Sequence, residues 1–161
     1  LKKILELGNK TISQDQFDSL LLEKNKFYLD SIAELTREDL LPGVLDLLNE
    51  ARELGIPMAI GSSSKNAPFI IELLNLQNYF VTIIDGNKVK DPKPHPEVFL
   101  NAAEAMQLNP ADCIVFEDAE SGILAAKAGG FFAVGVGNPN IASMADLYLN
   151  DLTEFKLNIH A

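Results

Sequence analysis

A chain of 161 residues, 47% hydrophobic and 22% charged, has the length for one globular domain with a small appendage and the apolar content for a buried core. Its formal net charge of −10 excludes the broad basic surface that sequence-independent nucleic-acid binding or docking on an anionic membrane requires. A negatively charged metabolite fits such a chain only through a local basic site.

From Leu1 to about Leu40 the pattern is helical, with Leu1, Ile4 and Leu5 and then Phe17, Leu20, Leu21, Lys24, Phe27, Tyr28 and Ile32 at spacings of three and four. Gly8-Asn9-Lys10 breaks the first helix, and Ser13 with Gln16 forms the capping box that starts the second. The chain opens at Leu1 already in helical register, so its beginning reads as the middle of something longer. Residues 1–40 are expected to form a small, partial helical cap.

Leu41-Pro42-Gly43 marks a boundary, and residues 41–161 alternate helix with strand. A helical stripe from Val44 to Leu54 stops at Gly55, and Pro57 to Ile60 reads as a short strand ending at Gly61-Ser62-Ser63-Ser64. A helix from about Asn66 to Leu76, a strand from Phe80 to Ile84, and a turn-rich loop from Asp85 to Pro96 come next. Then follow a helix from Glu97 to Leu108, a strand through Ile114-Val115-Phe116 into Glu117-Asp118, a helix to Gly129-Gly130, and a strand from Phe131 to Val136. Ala145 to Leu149 reads as one more short strand. Helices alternating with short apolar strands specify an α/β fold, a parallel sheet covered on both faces. Cys113, the one cysteine, has no internal disulfide partner and reads as a buried thiol at the head of its strand. No run approaches the roughly 18 apolar residues of a membrane span and no signal-peptide pattern appears, so the expected location is cytoplasmic.

Ligands of parallel α/β sheets sit beyond the carboxyl ends of the strands, and three strand ends here carry polar groups. Glu117-Asp118 is a pair of acids with no basic neighbour in sequence. It reads either as a solvated helix start or as a site for a hard cation, for which Mg²⁺ is the expected species. Ser62-Ser63-Ser64-Lys65-Asn66 offers hydroxyls, backbone amides and a cation, the makings of an oxyanion or phosphate site or of a plain helix cap. Asp91-Pro92-Lys93-Pro94-His95-Pro96 holds Lys93 in a stiff proline frame, which suits a lysine that must meet a fixed negative charge. His95 reads as a loop residue. Hydroxyl, lysine and paired acids are the parts that phosphoryl transfer needs, since it rests on positioning and charge neutralisation.

In that order and on such a sheet, Ser62, Lys93 in its Lys-Pro context and Glu117-Asp118 resemble the second, third and fourth motifs of the haloacid-dehalogenase-like phosphotransferase superfamily. ILELGNKTIS, LLPGVLDLL, GSSSKNAPF, DPKPHPEVF, FEDAESGI and AVGVG narrow the resemblance to its beta-phosphoglucomutase family, over essentially the whole chain. The resemblance implies a Rossmann-like core in which Ser62 and Lys93 hold the transferring phosphoryl group and Ser63 supplies a backbone amide. It further implies that Glu117 and Asp118 serve Mg²⁺, that Ser64, Lys65 and Asn66 contact a second phosphate, and that Lys24 of the cap reaches into the closed site.

One departure stands out. The family's first motif, an apolar strand ending in Asp-x-Asp, carries the aspartyl nucleophile, and these 161 residues contain no Asp-x-Asp. The family's specificity loop with its phosphate-binding arginine is also missing. The nucleophile strand is central in the family's sheet, so this chain is expected to leave two inner strand edges unpaired and to need a preceding segment, or a strand from another molecule. The expected activity, in the intact protein, is interconversion of beta-glucose 1-phosphate and glucose 6-phosphate through a phospho-aspartate and a bisphosphate, the chain alone being inactive. The alternatives are a sugar-phosphate phosphatase of the same superfamily and a non-catalytic binding module.

Overall fold

The computed structural model describes residues 2–157; Leu1, the first position of the expected helical stripe, lies outside the described residues. Two compact units divide the chain, Leu1–Leu35 and Thr36–Ala161.

The first unit holds two helices, α1 (Lys2–Leu7) and α2 (Gln14–Ile32). The capping box at the start of α2 is formed in both directions: Gln16 N–H donates to Ser13 Oγ at 3.2 Å, and Ser13 N–H donates to Gln16 Oε1 at 3.0 Å. That satisfies two of the amides a helix start leaves without partners. The expected stripe is helical but largely exposed, Phe27 by 68%. Helical pattern past residue 32 gives way to a turn and a single 3₁₀ turn at Arg37–Asp39.

The second unit carries α3 (Val44–Glu53), β1 (Ala59–Gly61), α4 (Ala67–Leu73), β2 (Thr82–Ile84), α5 (Glu97–Ala105), β3 (Ile114–Glu117), α6 (Glu120–Ala128), β4 (Phe132–Val136) and β5 (Leu147–Leu149). All strand pairs are parallel, as the alternating pattern requires. The strands form two sheets, β1-β2 and β3-β4-β5. Among the described residues β1 pairs only with β2 and β3 only with β4, so each keeps one unpaired backbone edge.

A core shared by both sheets joins them. Ile84 from β2, Val115 from β3 and Ala133 from β4 pack with Val98, Phe99, Ala102 and Ala103 of α5 and with Ile123, Ala125 and Ala126 of α6. The opposite face of the three-stranded sheet, Phe116, Val134, Val136 and Leu149, packs on Val44 and Leu47 of α3, with Leu152 and Phe155 alongside. Ala133 and Val134 are both wholly buried, which makes β4 a strand covered on both faces.

Helices α3 to α6 all stop in the same way. The residue two places past each helix is left-handed: Gly55, Asn75, Gln107 and Gly130, with φ of +70°, +52°, +58° and +81°. Each uses its N–H, and the next residue's N–H, to close the last turn, as in Gln107 N–H to Glu104 O (2.9 Å) and Leu108 N–H to Ala103 O (3.0 Å). The helices expected to reach Leu76 and Leu108 therefore end at Leu73 and Ala105.

Candidate functional site

Ser62 directly follows β1, and Glu117 is the last residue of β3, so both stand at carboxyl ends of parallel strands. Lys93 connects these ends. Its ammonium donates to Gly61 O at 3.0 Å, forms an ion pair with Glu117 Oε1, and lies 4.5 Å from the centre of the Phe99 ring. Both charged side chains are only 9% exposed. Gly61 makes this packing feasible, since a β-carbon there would meet Phe99 Cδ1 at 2.8 Å. The acids thus have a basic neighbour after all, from 24 residues upstream in sequence.

The loop before α5 is clamped as well as stiffened. Glu97, in the first turn of α5, accepts from Lys90 N–H (3.0 Å) with one carboxylate oxygen and from Asp91 N–H (2.9 Å) with the other. The Asp91 amide and then the Lys90 amide hold its carboxyl below the usual range. His95 is an exposed loop residue, and its N–H donates to Pro92 O at 3.0 Å.

In the serine loop, Ser62 Oγ accepts from Ser64 N–H (3.1 Å) and Ser64 Oγ from Asn66 N–H (3.2 Å). These hydroxyls therefore shape their own loop. The N–H groups of Ser63 and Lys65 donate to nothing among the described residues. Ser62, Ser63 and Lys93 line one cleft of about 200 Å³, together with Gly86 and Lys90.

Glu117 Oε2 also accepts from Ala119 N–H at 3.4 Å. Asp118 is exposed, and its main-chain oxygen accepts from Asn138 Nδ2 at 2.8 Å, which ties the turn after β3 to the turn after β4. Both acids offer hard oxygen donors, the chemistry Mg²⁺ selects, so the residues fit such an ion. Lys24 stands exposed on α2, in the first unit. Cys113 is half-buried instead of fully buried; its thiol donates to Asn109 O at 3.3 Å, and burial pushes its pKa up, away from reactivity.

Several groups at this edge escaped the sequence reading. Asp85 follows β2 and is 4% exposed, with its carboxylate accepting from Asn87 N–H at 2.7 Å. Applying the strand-end rule to β2, as to β1 and β3, would have found it. Lys90 and Asn138 carry no motif signal. Asp91, His95 and Glu97 place one ligand atom each within 4.8 Å of one another, a mixed nitrogen and oxygen set on the outer side of the Lys93 loop.

The haloacid dehalogenase-like hydrolase model matches residues 4–130. The chain is 41% identical over 140 residues to beta-phosphoglucomutase of Bacillus subtilis, covering 87% of this chain and 62% of that one. It is 43% identical over 82 residues to a fructose-1-phosphate phosphatase of Escherichia coli, covering 50% of this chain and 44% of the phosphatase. The crystal structure of beta-phosphoglucomutase from Clostridium difficile superposes with a TM-score of 0.90 at 38% identity, over 96% of this chain and 70% of that one. The chain spans less than two thirds of the length of the Bacillus and Escherichia relatives.

Proposed function

The chain belongs to the haloacid dehalogenase-like hydrolase family, and on that premise we propose that it carries the phosphate- and metal-binding part of a beta-phosphoglucomutase-type phosphotransferase. The observation that carries this reading is Lys93, which ties the carboxyl end of β1 to the acidic end of β3 beside Ser62. A buried, triply held ammonium is a preorganised countercharge, which is what a transferring phosphoryl group requires.

In this reading Ser62 and Lys93 hold the transferring phosphoryl group, and the unengaged N–H of Ser63 donates to one of its oxygens. Ser64, Lys65 and Asn66 bind a second phosphate, and Lys24 closes over the substrate from the cap. Glu117 and Asp118 would hold Mg²⁺, which when bound neutralises charge on the phosphoryl oxygens. Residues 1–40 act as the partial cap and 41–161 as the core. The acceptor aspartate comes from an Asp-x-Asp strand outside these 161 residues, in a preceding segment or another chain, lying between β1 and β3. The substrate is a phosphorylated sugar, beta-glucose 1-phosphate, converted to glucose 6-phosphate through a bisphosphate, in the cytoplasm. Among the described residues no helix is long and apolar enough to cross a membrane.

The sugar-phosphate phosphatase reading is favoured by the similarity to the Escherichia phosphatase. One assay separates them. The 161-residue chain is given beta-glucose 1-phosphate, a trace of bisphosphate and Mg²⁺, with and without an added Asp-x-Asp segment. Glucose 6-phosphate formed only with the segment supports the mutase. Free phosphate in its place selects the phosphatase, and turnover by the chain alone overturns the need for a supplied aspartate.

A further inference from the structure

We propose that Lys90 is an additional substrate-binding residue, supplying the free positive charge that draws a phosphomonoester dianion onto the Ser62-Ser63 loop. This inference rests on the phosphate-site reading above and adds a residue to it.

The argument begins with the charges at the cleft. Lys93, the lysine beside Ser62, shares its charge with Glu117 in a nearly buried pair, so an entering dianion meets only part of it. A dianion entering against a protein of formal charge −10 needs a cation that is not already matched. Lys90 lines the same cleft as Ser62, Ser63 and Lys93. Its side chain is exposed, and among the described residues its ammonium enters neither an ion pair nor a hydrogen bond. Two further exposed lysines stand near this loop: the ammonium of Lys88 donates to Ile83 O at 2.6 Å, and the Cγ of Lys65 would lie 3.4 Å from a β-carbon on Gly86, which also lines the cleft.

The main chain of Lys90 is held while its head is free. The carboxylate of Glu97 fixes the amides of residues 90 and 91, so the stem of Lys90 leaves the backbone from a set point beside the cleft. Such anchoring lowers the entropy lost when the ammonium meets an anion. Glu97 also faces Lys90 electrostatically, yet both of its oxygens are engaged by backbone amides, which leaves the ammonium available to a stronger acceptor.

Inorganic phosphate is the probe, titrated into the chain by calorimetry, with the amide signals of Ser63 and Lys65 followed by NMR. Lys90→Gln keeps the backbone N–H that the fold uses, so its structure is expected to be unchanged, and circular dichroism checks this. The expected result is phosphate affinity weakened roughly five- to tenfold in Lys90→Gln, restored in Lys90→Arg, with the gap between the two narrowing at high salt. Equal affinity in Lys90→Gln and the parent chain overturns the role of Lys90 and leaves the phosphate site standing. Absence of phosphate binding, or of any shift at Ser63, in the parent chain overturns both. A Lys90→Arg variant as weak as Lys90→Gln also overturns the proposal, because charge is then not what the position supplies.

Discussion

A β-carbon on Gly122 would sit 2.1 Å from Glu117 Cδ and 2.3 Å from each carboxylate oxygen. Gly122 is the third residue of α6, and glycine inside a helix costs roughly 0.5–1 kcal/mol relative to alanine; here the reason is visible, since the space is filled by the acid that pairs with Lys93. Gly122→Ala is therefore expected to push the Glu117 carboxylate away from Lys93 and to destabilise the chain by about 1–3 kcal/mol. In a Glu117→Ala background the same change should be neutral or stabilising, because only the helix preference of alanine remains. Urea midpoints of the four proteins test this; the same sign in both backgrounds would mean that Gly122 serves something other than Glu117. In sequence, Gly122 reads only as part of a helix start. The acids, the serine and the lysine were legible there because each is polar and sits at a strand end or in a proline frame. Their pairing was not, since the 24 residues between Lys93 and Glu117 are bridged only in three dimensions.

At the scale of elements, the helix stops divide into those that sequence announces and those it conceals. Gly55 and Gly130 end α3 and α6 at positive φ, where glycine carries no steric penalty, and both were legible as stops. Asn75 and Gln107 occupy the same left-handed position after α4 and α5, but neither is a glycine, so the apolar periodicity of the sequence continues past them to Leu76 and Leu108. Tertiary contacts stabilise the Asn75 turn: Arg37 donates to Leu74 O at 2.9 Å and to Asn75 O at 2.6 Å, from a residue no local pattern would connect to it. Among the described residues Gln107 has only its own backbone bonds to hold its turn, and a left-handed conformation costs an ordinary residue about 1–2 kcal/mol. Gln107→Gly should accordingly raise stability by close to 1 kcal/mol, read as a higher urea midpoint at unchanged slope. Asn75→Gly should gain less, since asparagine tolerates that conformation. A loss of stability in Gln107→Gly would show that its side chain, not its backbone, holds the turn.

For the whole molecule, parallel pairing follows from alternating helix and strand, while the division into sheets β1-β2 and β3-β4-β5 is seen only in three dimensions. The two halves are held by the shared core of α5 and α6 and by Lys93 at the carboxyl edge. The groups held away from their ordinary pKa values lie elsewhere, on three carboxyls and one thiol. Asp146 has its carboxyl held low first by the hydrogen bond from Lys127 and then by the amide of Ala133. Asp151 is lowered by the Thr153 side chain and then its amide, and Glu97 by the amides of Asp91 and Lys90. A carboxyl with a depressed folded pKa adds stability above its unfolded value, ordinarily 3.8 for Asp and 4.5 for Glu, and loses it as pH falls through the folded value. Cys113 acts at the other end: its folded pKa is raised above the ordinary 9.0, so its contribution is present below that pH and lost as pH rises through the folded value. These four groups therefore take stability away at the acid and the alkaline end. The net charge of −10 works against the acid limb, since protonation also relieves self-repulsion, so a single pH curve cannot assign it. Comparing Asp146→Asn with the parent chain at each pH cancels that background. The variant should melt lower at pH 7 and converge on the parent as pH drops below about 3.8. High salt should shrink the difference at pH 7, because Lys127 and Asp146 are exposed enough to be screened. A difference independent of pH would mean that Asp146 acts through its shape and its bond to Ala133, not through its charge.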